Sequence, residues 1–453
     1  MTIRHITQKL AVWASAGLFS AGLSAGPAAN PPELEAPALP PPAALASSSG
    51  LRLPTTTALE PILQRLPATA AAEAAGQAAQ AQAAALRRGS DEFSLSSQVQ
   101  SREIRSGPDQ GRYTEWQLGV QRPLRWPGPA QADGVVGEEL VRQSRIQIGD
   151  ARHENLREIL RMLTKVQRDA GLAQLSSDAV ALLQTQVRIV EKRQAAGDAS
   201  LLERDRLRAE AAQEEAMATQ DRARAEASLA TWHSRFPELP PQPQAHIQLE
   251  SLSGSSTDLL HDYLEHNHQL LLRQSQWQQA MALARQARAQ EWPQPTLGAY
   301  LGSERGGNER IVGVQLSIPI PSGSRKDQTA ARTADAAAAR ARLAETRQFL
   351  QGEFLARLRE SQGLAESVAQ LERAYADQWR AAQRAQKAYV LGESPLSDWL
   401  QLRRQSLQTA RTLVQTRFEA DAAQAELLLD SHQLWALAEP AEAQMTTMET
   451  PVP

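Results

Sequence analysis

Two stretches of this chain, 130–196 and 325–391, contain no proline. In the first, apolar or small residues recur at Leu156, Ile159, Leu163, Val166, Ala170, Ala173, Ser176, Val180, Leu183, Val187 and Val190, at spacings of three and four. That is a heptad seam, and it predicts a coiled-coil helix. At 1.5 Å per residue such a helix is about 100 Å long. Leu364, Val368, Leu371 and Tyr375 carry the same seam in the second stretch. A rod of this length has no core of its own and needs other helices along its side.

Each rod stops at a glycine turn, Gly197-Asp198-Ala199-Ser200 or Gly392-Glu393-Ser394-Pro395. A returning helix follows each turn, from Leu201 to about Phe236 and from Leu396 to about Leu437. Before each rod come a shorter helix (about Ala58 to Arg88, and Thr257 to Gln290) and two strand-like runs. Those runs are Phe93–Ile104 and Tyr113–Leu124 in the first half, and Thr296–Ser303 and Arg310–Ile320 in the second. The halves match in register. Pro319 lies 196 residues after Pro123, and Gly392 lies 195 after Gly197. Leu201, Glu203 and Leu207-Arg208 face Leu396, Asp398 and Leu402-Arg403. The chain is an internal duplication of helix–strand–strand–helix–turn–helix.

The strands alternate. Val312, Val314, Leu316, Ile318 and Ile320 fall on one face, with Gly313, Gln315 and Ser317 on the other; Trp116, Leu118, Val120 and Leu124 repeat the pattern, broken by Arg122. Each run has the length of a tilted membrane strand, and Trp116, Trp126, Trp292 and Tyr300 sit where interfacial aromatics belong. Four strands cannot close a barrel, and lipid forbids an open edge. Membrane strands here therefore require several chains that share one barrel, with the helices lining a common tunnel.

Arg4, His5 and Lys9 precede an apolar run, Leu10–Leu23, that ends in Ser24, Ala25 and Gly26. This predicts a secretory signal peptide over 1–25. An extended Pro/Ala-rich arm is expected over 26–57, a first repeat over 58–236, a linker over 237–256, a second repeat over 257–437 and a disordered tail over 438–453. No later stretch is apolar enough for a membrane-spanning helix. The chain has no cysteine, which excludes disulfides, thiolate metal sites and a lipid anchor on an N-terminal cysteine. A net charge of −3 gives no field for nucleic acid.

This layout resembles the TolC-like outer-membrane factor family. The likeness covers about residues 58–437 and is carried by the duplication, by Pro123-Leu124 and Ile318-Pro319-Ile320-Pro321, and by the two glycine tips. In the second tip the family pattern stands as Tyr389, Gly392 and Leu396-Ser397-Asp398-Trp399-Leu400; in the first as Gly197, Leu201, Leu202 and Glu203. The proline-marked strand ends resemble the heavy-metal cation (CzcC-type) branch. The resemblance implies a mainly α fold with a small β part, in which three chains form one 12-stranded β-barrel and one α-helical periplasmic tunnel. It implies a homotrimer in outer-membrane lipid, serving as the exit duct of a tripartite efflux pump together with a periplasmic adaptor and an inner-membrane pump, with metal cations as one cargo class. It also implies a gate at the tips. There Tyr389 and Glu203 make an inter-helix polar contact and Asp398 forms a ring of three carboxylates, while the position of a second acidic ring is Gln401 and that of a tip arginine is Ser394.

The turns themselves, Gly197, Asp198, Ser200 and Leu201 with Gly392, Glu393, Ser394 and Leu396, are expected to dock an adaptor, with Leu201 and Leu396 exposing apolar side chains. A soluble periplasmic coiled-coil adaptor and a structural coiled coil are the competing readings; an adaptor needs one hairpin between β-rich domains, whereas this chain has two hairpins. No phosphate loop, HExxH or nucleophile elbow is present, so neither an enzyme nor a cofactor is expected. His261, His266 and His268 cluster in sequence, but only His261 and His268 share a helical face; they read as solvated side chains, with no metal site.

Overall fold

The structure, a computed structural model, describes residues 39–435 apart from 49, 90, 245, 248 and 250–254. The expected signal peptide and C-terminal tail lie outside these residues. The first repeat comprises α2 (Thr56–Leu63), α3 (Pro67–Arg88), β2 (Ser94–Ile104), β3 (Gly111–Pro123), α4 (Pro127–Ala195) and α5 (Leu201–Arg235). The second comprises α6 (Ser256–His266), α7 (His268–Ala289), β5 (Thr296–Glu304), β6 (Glu309–Ser317), α8 (Gly323–Val390) and α9 (Leu396–Asp430). A short helix, α1 (Pro42–Ser48), and two two-residue strands, β1 (Leu53–Pro54) and β4 (His246–Ile247), complete the fold. The duplication holds down to length: α4 and α8 have 69 and 68 residues, and α5 and α9 have 35 each. No helix among the described residues is long and apolar enough to cross a membrane.

The sequence differs from the structure in four places. Each expected short helix is two helices. Pro67, at the first position of α3, separates α2 from α3, and Asn267 (ψ 112°) separates α6 from α7 while its side chain accepts from the Leu270 N–H at 3.1 Å. The last helix ends at Asp430 rather than Leu437, because Ser431 and His432 turn the chain and His432 takes φ 58°. Strand β6 stops at Ser317, so Ile318 and Ile320 lie beyond the ladder. The second part of the supposed extended arm is folded onto the helices. Leu39, Leu45, Leu51 and Leu53 are buried, Tyr375 Oη donates to Pro40 O at 2.6 Å, and β1 pairs with β4.

The α4 seam is also wider than a two-position heptad. Leu160, Leu172, Leu175, Ala179 and Leu182 are buried beside the predicted positions, because α4 packs against α3, α5, α7 and α9 rather than against one partner. By contrast, residues 325–345 of α8 are mostly exposed, an Ala-rich face with no neighbour on its outer side.

The sheet is antiparallel, in the order β2-β3-β5-β6, and β3–β5 pairing joins the two repeats. Its register sorts residues by polarity. Leu95 faces Val120 and Val99 faces Trp116; Val120 faces Ala299 and Leu118 faces Leu301; Ala299 faces Val314 and Leu301 faces Val312. Directly opposed residues share a face, so these side chains form one largely apolar surface, interrupted by Ser97 opposite Leu118 and Arg122 opposite Leu297. Gln98, Gln117, Gln121, Gln315 and Tyr300 take the opposite face. Tyr300 is therefore not part of an outward aromatic girdle; it covers Gly313, where a Cβ would lie 2.5 Å from its ring. Trp126 and Trp292, at the strand–helix junctions, are exposed.

Candidate functional site

The two glycine turns lie at the far end of α4 and α8. Both are built alike. Asp198 N–H donates to Arg193 O at 2.8 Å and Gly197 N–H to Gln194 O at 3.0 Å; Glu393 N–H donates to Ala388 O at 2.8 Å and Gly392 N–H to Tyr389 O at 3.0 Å. This pair of bonds satisfies the last helical carbonyls and requires a left-handed residue at its centre. Gly197 (φ 87°) and Gly392 (φ 77°) supply it. Ser200 then caps α5, its Oγ accepting from Glu203 N–H at 3.1 Å. Nothing lies within 4 Å of a Cβ built on either glycine, so the turns project freely.

The apolar residues at the tips are not quite those expected. Leu201 is 58% exposed, but Leu396 is 6% exposed, buried in a small core with Tyr389, Trp399, Leu400, Val190 and Leu207. The exposed apolar set is instead Leu201, Leu202, Val390 and Leu391. Asp198, Ser200 and Glu393 are exposed beside them, and Ser394 is half-buried.

Glu203 and Tyr389 do meet. The phenol donates a short hydrogen bond to Glu203 Oε1 and tethers the first tip to the second. Arg193, which no sequence pattern singled out, completes the contact. It donates to Tyr389 Oη at 3.3 Å, lies 3.9 Å from Glu203 and stands over the tyrosine ring. Trp399 lies parallel to that ring, with centroids 6.0 Å apart. Burial and the Glu203 carboxylate both push the Tyr389 pKa up, so the phenol stays a donor. Asp398 and Gln401 are not brought into this contact. They lie one turn apart on the exposed side of α9, and Asp398 receives only a local bond from Ser397 Oγ at 3.2 Å.

Behind the tips lies a buried ionic ladder that the sequence reading missed. Arg403 is 1% exposed, 3.2 Å from Glu210 and 3.7 Å from Glu214 on α5. Further along, Arg411 Nη1 lies 2.8 Å from Asp221 and Nη2 donates to Ser176 Oγ at 2.8 Å. The one available signal was position: Arg403 lies between Leu400 and Leu407 at helical spacing.

No family model matches the chain, nor does any curated protein sequence. Solved structures do. The outer membrane protein VceC from the bacterial pathogen Vibrio cholerae is similar at TM-score 0.67 and 20% identity, over 83% of this chain and 95% of that one. The outer-membrane channel OprN is similar at TM-score 0.70 and 17% identity, over 91% and 100%. CusC, described in connection with transmembrane channel formation, is similar at TM-score 0.69 and 14% identity, over 85% and 94%. The likeness spans both repeats, sheet and helices together, and the chain has the fold of these membrane channels.

Proposed function

We propose that the protein is one subunit of a TolC-like outer-membrane channel, a homotrimeric exit duct for an efflux pump. The observation that carries this reading is the sheet: four strands, one largely apolar face, and two unpaired edges at β2 and β6. An apolar sheet face with open edges is stable in neither water nor lipid. Pairing β6 of one copy with β2 of the next removes every edge, and three copies give the 12 strands that the resemblance implies. The uncovered Ala-rich side of α8 then meets a neighbouring subunit in the periplasmic tunnel, and Trp126 and Trp292 lie at the bilayer interface. Metal cations are the cargo class that the heavy-metal resemblance supports.

In this reading the tips are the end that meets a periplasmic adaptor, six per trimer, presenting Leu201, Leu202, Val390 and Leu391 around the two glycines. Gly392→Arg tests it. The variant should lose efflux in cells while its detergent-corrected mass stays that of a trimer. A monomeric wild type would sink the channel; a docking role fails if the variant's assembly and efflux fall together.

The Tyr389–Glu203–Arg193 contact acts as a latch that keeps neighbouring hairpins closed. A hydrogen bond to a charged group contributes about 1.5–3 kcal/mol, so removing it shifts a closed–open balance by roughly tenfold or more. Tyr389→Phe combined with Glu203→Gln should therefore raise the conductance of the trimer in planar bilayers. In the same recordings Asp398→Asn should lower cation selectivity, since three carboxylates around one mouth attract cations. Conductance and selectivity equal to wild type in both variants would remove the gate from the tips.

A further inference from the structure

Far from the tips, three imidazoles from separate elements converge where α4 passes the α6–α7 break and the end of α9. They are His153 on α4, His268 at the start of α7 and His432 just past α9. Their ring centroids are 5.3 Å (His153–His268), 5.5 Å (His153–His432) and 5.1 Å (His268–His432) apart. Each offers a ring nitrogen, and these atoms lie within 4.8 Å of one another, the one such group of potential metal ligands among the described residues. His268 is thus not the solvated side chain its sequence neighbourhood suggested. His261 stays apart on the surface, facing Glu265 at 3.6 Å.

Three local features gather the rings. Asn267 ends one helix and caps the next, and the new helix starts with His268 9% exposed. Gly149 lies one turn before His153 on α4, and a Cβ there would stand 2.8 Å from His268 Nε2. A glycine in mid-helix weakens the helix, and here it makes room for the ring. His432 holds φ 58°, a left-handed conformation usually left to glycine or asparagine.

The surroundings suit a cation. Asp430, 3% exposed, lies 3.1 Å from His153 Nε2 and 2.9 Å from Arg357, with Arg157 also on it. Arg157 Nη2 also lies 3.1 Å from that nitrogen, and a carboxylate hydrogen-bonded to one imidazole nitrogen orients the ring for ligation through the other. Arg157 and Arg357 are further matched by Glu154 and Glu353, so the two guanidiniums leave no excess positive charge. An imidazole is mostly neutral at physiological pH, the form that binds metal.

We propose that His153, His268 and His432 form a binding site for a borderline divalent transition metal, with zinc as the leading ion. Three imidazole nitrogens and no sulfur select zinc, copper or nickel over magnesium or calcium. Zinc–nitrogen bonds of about 2.0–2.1 Å place tetrahedral ligands about 3.4 Å apart, so the rings must draw in by side-chain rotation. A fourth position is left for water. The ion would tie α4 of the first repeat to both ends of the second-repeat helices, at the level from which the long hairpins run. The site does not depend on what the channel carries.

The test uses the full-length protein in detergent, without a polyhistidine tag and stripped by chelator. Titration with zinc should show one ion per chain and raise the thermal midpoint. Cobalt should give the intense visible absorption of a tetrahedral nitrogen site. His268→Ala and His432→Asn, the latter tolerant of positive φ, should each abolish stoichiometric binding. Gly149→Ala, which keeps every imidazole, should weaken it by crowding His268, and His261→Ala should bind as wild type does. Absence of saturable zinc binding and of the cobalt spectrum in the wild type overturns the proposal, whatever the variants do. Binding that survives in the His268→Ala/His432→Asn double variant overturns it equally.

Discussion

In the proposed outer-membrane channel, Val314→Arg is expected to remove the protein from the membrane, whereas Gln315→Arg, one residue away, leaves it there. Val314 is 82% exposed in the single chain and faces Ala299 on the apolar side of the sheet; Gln315 faces Gly298 on the other. In water an exposed valine replaced by arginine is neutral or helpful. On the lipid side of a barrel an arginine near the bilayer centre costs about 2–4 kcal/mol, and a trimer carries the change once per subunit. On the lumen side the same charge is hydrated. The measurement is the amount of heat-modifiable trimer in the outer-membrane fraction for the two variants, with Val314→Ile as the volume control. Equal recovery of the two arginine variants would mean that the apolar face does not contact lipid, and the closed-barrel reading would fall with it.

The same two-residue period made the strands readable in the sequence, just as proline-free heptads made α4 and α8 readable to within a few residues. What was unreadable has a common physical source. Residues 39–55 look like a structureless Pro/Ala arm because their leucines have no period; they are buried only because a groove between the hairpins accepts them, with Trp379 Nε1 donating to Leu39 O at 3.0 Å and Arg417 to Leu45 O at 3.0 Å. Leu201 and Leu396 occupy equivalent positions in the duplication and were expected to behave alike. They differ because Tyr389 and Trp399, present at one tip only, build a pocket over Leu396. Tyr389 and Glu203 were found through family likeness, and their contact needs two hairpins that sequence distance says nothing about. The histidine triad is the extreme case. Its members come from three elements widely separated along the chain, and the short-range cluster His261–His268 pointed to the wrong partners.

The other large effect is expected in the buried ladder behind the tips. Arg403→Ala removes the cation between Glu210 and Glu214, which are 7% and 6% exposed, and leaves Arg404, 2.9 Å from Glu210, as the nearer replacement. Glu214 then keeps only the more distant charge of Arg411. Breaking a buried ion pair from one side costs about 3–5 kcal/mol, far more than removal of a surface pair, because the remaining charge has neither water nor counter-ion. The change should therefore lower the thermal midpoint even though it leaves the tip residues in place. Replacing Arg403 and Glu214 together with apolar residues of similar size should recover much of the loss, since no stranded charge remains. The pH dependence distinguishes this cause from a simple cavity. Burial already raises the Glu214 pKa above its ordinary 4.5, with Arg403 opposing; without Arg403 it rises further. A carboxyl raised in the folded state stabilises the fold below its unfolded pKa, and that stability is lost as pH climbs through the folded value. The deficit of Arg403→Ala should accordingly be smallest at pH values near 4.5 and below and grow towards neutrality. Thermal midpoints of wild type and variant across that range decide the matter: a deficit that is flat with pH belongs to lost packing, and the charge would then not be what the ladder is for.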